Sequence, residues 1–134
     1  RFHPLLTSDF GLSGGKCDVV LLSGKVFYDV EKALRQRSDI SVRLVRIEQL
    51  YPFPETELAL LLRDLTINNL VWVQEEPQNM GAWTHVYPYL KWISGLEPQY
   101  VGRQRSASTA TGSPRRHIEE QQSLVSDLVT IVTP

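Results

Sequence analysis

The sequence predicts an α/β domain built on a mostly parallel sheet. Short apolar runs of strand length alternate with segments of helical periodicity, and one run, "DVVLL" (residues 18–22), is apolar at every position after Asp18, as in a strand covered on both faces. Size agrees with this. A chain of 134 residues, 42% of them hydrophobic, makes one domain and can bury roughly two-thirds of its unfolded surface.

The elements follow in order. After the strand "DVVLL", the segment "KVFYDVEKALRQR" places Val26, Phe27, Val30, Ala33 and Leu34 on one helical face. "ISVRLVRI" (40–47), rich in β-branched residues, predicts a second strand. Pro54 suits the first turn of the next helix, where Glu55 and Glu57 favour the positive end and Leu58, Leu61, Leu62 and Leu65 face inward. "NNLVWVQ" (68–74) predicts a third strand. A helix is expected from about Gly81, broken near Tyr87 because Pro88 removes a hydrogen-bond donor. "PQYVGR" (98–103) predicts a fourth strand, and Ser113 and Pro114 open a last helix with Ile118, Leu124, Val125 and Leu128 as its apolar face.

Residues 1–17 read as a leading linker segment and 18–134 as the domain; a chain that opens "RFHPLL", without methionine, reads as one piece of something larger. Fourteen basic residues against 15 acidic ones give a net charge of −1, which lacks the electrostatic footprint of a nucleic-acid binder. No apolar run approaches the roughly 20 residues of a membrane span. Neither nucleic acid nor membrane is expected as a partner. Cys17 is the one cysteine, so no internal disulfide is available, which fits a reducing compartment.

Motifs for common chemistries are missing or degraded. "GLSGGKC" is one residue short of a phosphate loop and has Cys where Ser or Thr must reach a metal. No strand is followed by G-x-G-x-x-G, and neither HExxH nor G-x-S-x-G occurs. His3, His85 and His117 are dispersed, so no metal ligand set and no catalytic residue is assigned. Lys25, in "SGK" where a strand gives way to a helix, is a candidate for holding an anion with free backbone N–H groups. A basic segment carrying Arg103, Arg105, Arg115 and Arg116 is a second.

The stretch "VWVQEEPQNMGAW" (71–83) concentrates the remaining signals. In an extended chain Glu75 and Glu76 point to opposite faces and cannot form one carboxylate dyad. Pro77 keeps Glu76 out of the helical region, while Asn79 and Gly81 permit a tight turn before Trp83 opens the next element. The turn lies at the carboxyl end of a presumed parallel strand, where such sheets meet ligands and partners. Glu75, Glu76, Asn79, Gly81 and Trp83 are therefore candidate interface or inter-domain residues.

Four strings in order, "LLSGKVFYDV" (21–30), "VRIEQLYPFP" (45–54), "WVQEEPQNMGAW" (72–83) and "YVGRQRSAS" (100–108), followed by Gly112 and His117, resemble the C-terminal domain of the thiamin-diphosphate-dependent decarboxylating subunit of 2-oxoglutarate dehydrogenase. The resemblance covers most of residues 18–130 and implies a transketolase-like C-terminal domain, a three-layer α/β sandwich. For the whole enzyme it implies oxidative decarboxylation of 2-oxoglutarate and transfer of succinyl to lipoyl on the dihydrolipoyl succinyltransferase component. Thiamin diphosphate and magnesium would be held by preceding domains, with a second subunit completing a homodimer, so the fragment alone is expected to be inactive. The acidic turn would then be a docking loop.

Gln104 and Thr109 stand where many members carry proline, which leaves the Arg-rich loop less rigid. One alternative is a regulatory module that binds acetyl-CoA or an adenine nucleotide through those arginines. Another is the same domain of a 2-oxoadipate dehydrogenase, which shares "QEEPQNMG". A bacterial cytoplasm and a mitochondrial matrix fit equally.

Overall fold

The computed structural model describes residues 2–103 and 114–134. Five strands, β1 (Leu5–Phe10), β2 (Lys16–Leu22), β3 (Val42–Ile47), β4 (Thr66–Pro77) and β5 (Gln99–Arg103), form one sheet in the order β1-β3-β2-β4-β5. Four helices accompany them: α1 (Val26–Arg35), α2 (Glu55–Leu62), α3 (Trp83–Ser94) and α4 (Pro114–Val132). The β2–β3, β2–β4 and β4–β5 pairs are parallel, and β1 runs antiparallel to β3.

Period-two alternation divides the strands between two cores. Val20, Leu22, Val42, Leu44, Val71 and Val73 pack under α1 and α4, against Val30, Leu34, Leu124 and Leu128. Val19, Leu21, Val45, Ile47, Leu70 and Trp72 face the other way, under Leu58 and Leu62 of α2 and Val86 and Leu90 of α3. Both faces of the sheet are covered, which is why its central strands read as continuous apolar runs. The result is a three-layer α/β sandwich.

Several elements differ from the sequence reading. Residues 1–17, read as a linker, contribute β1 and the first residues of β2. β1 is fastened to the β3 edge by its backbone ladder and by a forked ion pair: Arg43 donates through Nε and Nη2 to the two carboxylate oxygens of its cross-strand neighbour Asp9, both at 2.9 Å. β4 runs on to Pro77, so the acidic residues belong to the strand and the turn begins after them.

Pro88 does not break α3, which is continuous. The carbonyl deprived of its donor is that of Thr84, and both residues are exposed, so water can satisfy it while Val86 and Leu90 pin both halves of the helix to the sheet. Ile118, expected inward on α4, is exposed, and Leu61 and Leu65 are only half-buried. Cys17 is a buried, unbridged hydrophobe.

This topology fixes where a site can lie. α1, after β2, packs on one face, whereas α2 and α3, after the flanking strands β3 and β4, pack on the other. The loops leaving the carboxyl ends of β2 and β4 therefore part and open a crevice, the usual ligand or partner position of such sheets.

Candidate functional site

The residue that builds this site is Gln74, which is 3% exposed. Two residues after Trp72 on the same strand, it points to the same face, and its Oε1 accepts from Trp72 Nε1 (2.9 Å) and from the backbone N–H of Trp83 (3.0 Å). Its Nε2 donates to the carbonyl oxygens of Glu76 (3.1 Å), Pro77 (3.0 Å) and Met80 (2.8 Å). One side-chain amide thus ties the last strand residues, the turn and the first N–H of α3 together. The turn is also closed by Met80 N–H donating to Pro77 O at 2.8 Å.

Gly81 is required here. Its φ is +67°, and a Cβ would lie 3.0 Å from Glu76 and 3.2 Å from Gln74 Nε2.

β5 braces the turn from the side. Tyr100 donates its hydroxyl to Arg103 O at 2.6 Å, with Glu76 O at 3.1 Å. Burial pushes this phenol up to about 12, against opposing hydrogen bonds. Gly102 allows the close approach: a Cβ there would lie 2.5 Å from Gln74 O and 2.6 Å from the Tyr100 hydroxyl.

The structure disperses the predicted interface residues around this scaffold. Glu75, half-buried, lines a groove of about 770 Å³ between α1 and α4 that Lys25, Asp29, Lys32 and His117 also line. Glu76, exposed, lines the carboxyl-end crevice of about 420 Å³ with Ser23, Gly24, Gly81 and His85. The two carboxylates thus serve opposite sides of the sheet. Asn79 lies half-buried within the turn. The Trp83 ring packs inside the domain, 5.2 Å from Tyr87 and 5.4 Å from Tyr100 by ring centroids.

The candidate anion binders divide as well. Arg103 donates from Nη2 to Nδ1 of His117 at 2.9 Å, and its Nε sits 2.9 Å from Glu120 Oε2 without being aimed at it. Arg115 lies 3.4 Å from Glu119 and Arg116 3.3 Å from the half-buried Glu120, pairs one helical turn apart. Each described arginine of the set therefore faces a carboxylate from α4. Lys25 is exposed at the start of α1 beside the groove. Arg105, Gln104 and Thr109 lie outside the described residues, as do Gly112 and Ser113.

Sequence reasoning missed Gln74, Tyr100 and Gly102. The one available signal for Gln74 was its parity with Leu70 and Trp72, which places a polar side chain on a buried face.

Fold and turn together define a three-layer α/β domain whose turn at the carboxyl end of β4 is held by a buried amide and a phenol hydroxyl. Comparison with known proteins gives the family. Residues 14–129 match the family described as 2-oxoglutarate dehydrogenase C-terminal. The 2-oxoglutarate dehydrogenase E1 component of Bacillus subtilis is 45% identical over 97% of this chain and 14% of its own length. That of Azotobacter vinelandii is 40% identical over the same shares, and that of Bacillus pumilus 44% identical over 84% of this chain and 12% of its own. This chain belongs to the 2-oxoglutarate dehydrogenase C-terminal family. It spans 12–14% of the length of these curated relatives. A solved 2-oxoglutarate:ferredoxin oxidoreductase from Magnetococcus marinus, with 2-oxoglutarate, coenzyme A and succinyl-CoA bound, shares the fold at a TM-score of 0.57 and 13% identity, over 92% of this chain and 20% of that one.

Proposed function

We propose that the chain is the C-terminal structural and assembly domain of a 2-oxoglutarate dehydrogenase E1 subunit. That subunit would oxidatively decarboxylate 2-oxoglutarate and pass the succinyl unit to lipoyl on a dihydrolipoyl succinyltransferase. The observation that carries the reading is the asymmetry of coverage: 97% of this chain aligns at 45% identity with only 14% of the relative from Bacillus subtilis. A segment that small, with its own two-sided core, serves a larger chain by packing against it.

Thiamin diphosphate would supply the carbanion chemistry of such a subunit. Among the described residues no group of three His, Cys, Asp or Glu side chains gathers into a metal site. In the proposal, cofactor and metal belong to the preceding domains, and a second subunit completes a dimer. The Gln74-organised turn presents Glu75 and Glu76 in fixed positions to those neighbours.

The test is turnover. The full-length gene product is expected to reduce an artificial electron acceptor in the presence of 2-oxoglutarate, thiamin diphosphate and magnesium, and the 134-residue chain alone to give no reduction. A full-length product inert towards 2-oxoglutarate but active on 2-oxoadipate would overturn the substrate assignment.

A further inference from the structure

The last five residues of α2 are apolar on every side. Its sequence "ETELALLL" places Leu58, Ala59, Leu60, Leu61 and Leu62 in succession, so more than one full turn lacks a polar residue. Only Leu58 and Leu62 are buried, and Leu60 is 55% exposed. A helix apolar all round is ordinarily covered all round; here the outer side is bare.

The bare side continues in the same layer. Trp92 of α3 is 83% exposed and Tyr51, in the loop before α2, 85% exposed. Beneath them lies a fixed aromatic base. Phe53 stacks on Tyr89 with centroids 4.5 Å apart, and the His85 ring stands 5.6 Å from Tyr89 and 6.3 Å from Tyr51. His85 is itself held by donating from Nε2 to Leu50 O at 2.7 Å. A shallow depression of about 700 Å³ opens over Pro88, Tyr89 and Trp92, with Glu55 at its edge, and the Lys91–Glu97 pair (3.1 Å) lies on the same helix and its exit. Aromatic side chains around a depression, with charged residues nearby, have the composition of a protein-binding hot spot.

Among the described residues of the opposite layer, exposed Ile118 shares its groove with Lys25, Asp29, Lys32 and Glu75, and Tyr28 is exposed on α1.

We infer that the α2–α3 face, centred on Tyr51 and Trp92, seats the amino-terminal remainder of the same E1 subunit. This rests on the proposed function above. The occupant follows from length: the chain accounts for 12–14% of its relatives and matches a family described as C-terminal, so most of such a subunit precedes it. That remainder is tethered to the domain at high effective concentration, and an apolar face this prominent is expected to be covered by it.

Oxidative footprinting of the full-length subunit tests this with a scale inside the molecule. Trp72, 1% exposed, marks full protection, and Tyr28, 63% exposed on the other layer, marks exposure. Hydroxyl-radical labelling followed by peptide mass spectrometry is expected to show Trp92 oxidised as slowly as Trp72, and Tyr51 several-fold more slowly than Tyr28. Trp92 oxidised several-fold faster than Trp72 while Tyr28 is protected overturns the assignment of face but leaves the assembly reading standing. Exposure of all three, Trp92, Tyr51 and Tyr28, overturns both. Protection of Trp92 that fades on dilution of the subunit assigns the face to a second copy and overturns the choice of occupant. Trp92→Glu supplies an independent readout: in the full-length subunit it should speed proteolytic release of the domain several-fold, while Tyr28→Glu leaves the rate unchanged. Equal rates for the two variants contradict the inference.

Discussion

Replacing Gln74 with leucine keeps the volume of a buried side chain and deletes the five hydrogen bonds that its amide makes around the acidic turn. The buried Nε1–H of Trp72 loses its acceptor, and an orphaned buried donor costs about 1–3 kcal/mol. The half-buried N–H of Trp83 and the carbonyl of Met80 lose partners that water can only partly replace, about 1 kcal/mol each. Pro77 O keeps a donor from Met80 N–H, so it adds little. The sum, about 3–5 kcal/mol, is a large share of the stability of an ordinary domain and corresponds to a fall of about 10–20 °C in Tm. Equilibrium urea unfolding of wild type and Gln74→Leu measures it. Trp72→Phe removes the donor that the substitution strands, so the double variant should fall short of additivity by about 1–2 kcal/mol. A cost below about 1 kcal/mol, or strict additivity, would refute the role given to this amide.

Other perturbations test the surrounding contacts. Gly102→Ala drives a methyl group into Gln74 O and the Tyr100 hydroxyl and should cost about 2–4 kcal/mol in the same unfolding assay, whereas Gly15→Ala, with open space around it, should stay within about 0.5 kcal/mol. Tyr100→Phe removes one of two donors to Arg103 O, which keeps Gln78 N–H at 3.1 Å, and should cost about 0.5–1.5 kcal/mol at neutral pH. The Tyr100 phenol, at about 12 when folded, keeps its proton more firmly in the folded state. Wild type should therefore lose stability as pH rises from about 10 to 12, and the phenylalanine variant should lack that loss. Burial likewise raises the Asp18 carboxyl, against the opposing hydrogen bond from Asn69. The folded state holds this proton more firmly than the unfolded chain, so stability falls as pH climbs above the ordinary carboxylate value of about 4. Asp18→Asn should be the more stable protein at neutral pH, with the advantage gone below about pH 4, as thermal melts across pH can show.

How much was legible from sequence follows from which forces act locally. β2, α1, β3, α2 and β4 were readable because apolar runs of the right period must be buried whatever surrounds them. β1 was not: "LLTSDF" is mostly polar or half-exposed and becomes a strand only because β3 presents an open edge and Arg43 meets Asp9 across it. Pro88 misled because its effect depends on whether Thr84 O faces water or protein. Within the site, Glu75, Glu76 and Gly81 announced a turn, but the organiser was the adjacent glutamine, a residue type found mostly on surfaces. Five contacts to Gln74 come from residues up to nine positions away, and no spacing rule encodes them. The pairing of Arg103 with Glu120 is likewise a matter of where α4 returns to the sheet.

Calorimetric titration of the 134-residue chain with thiamin diphosphate in the presence of magnesium tests the central claim most directly. On the proposed reading, in which the cofactor belongs to neighbouring domains, the chain should give no saturable heat. Binding in the micromolar range, about −8 kcal/mol, would contradict the account.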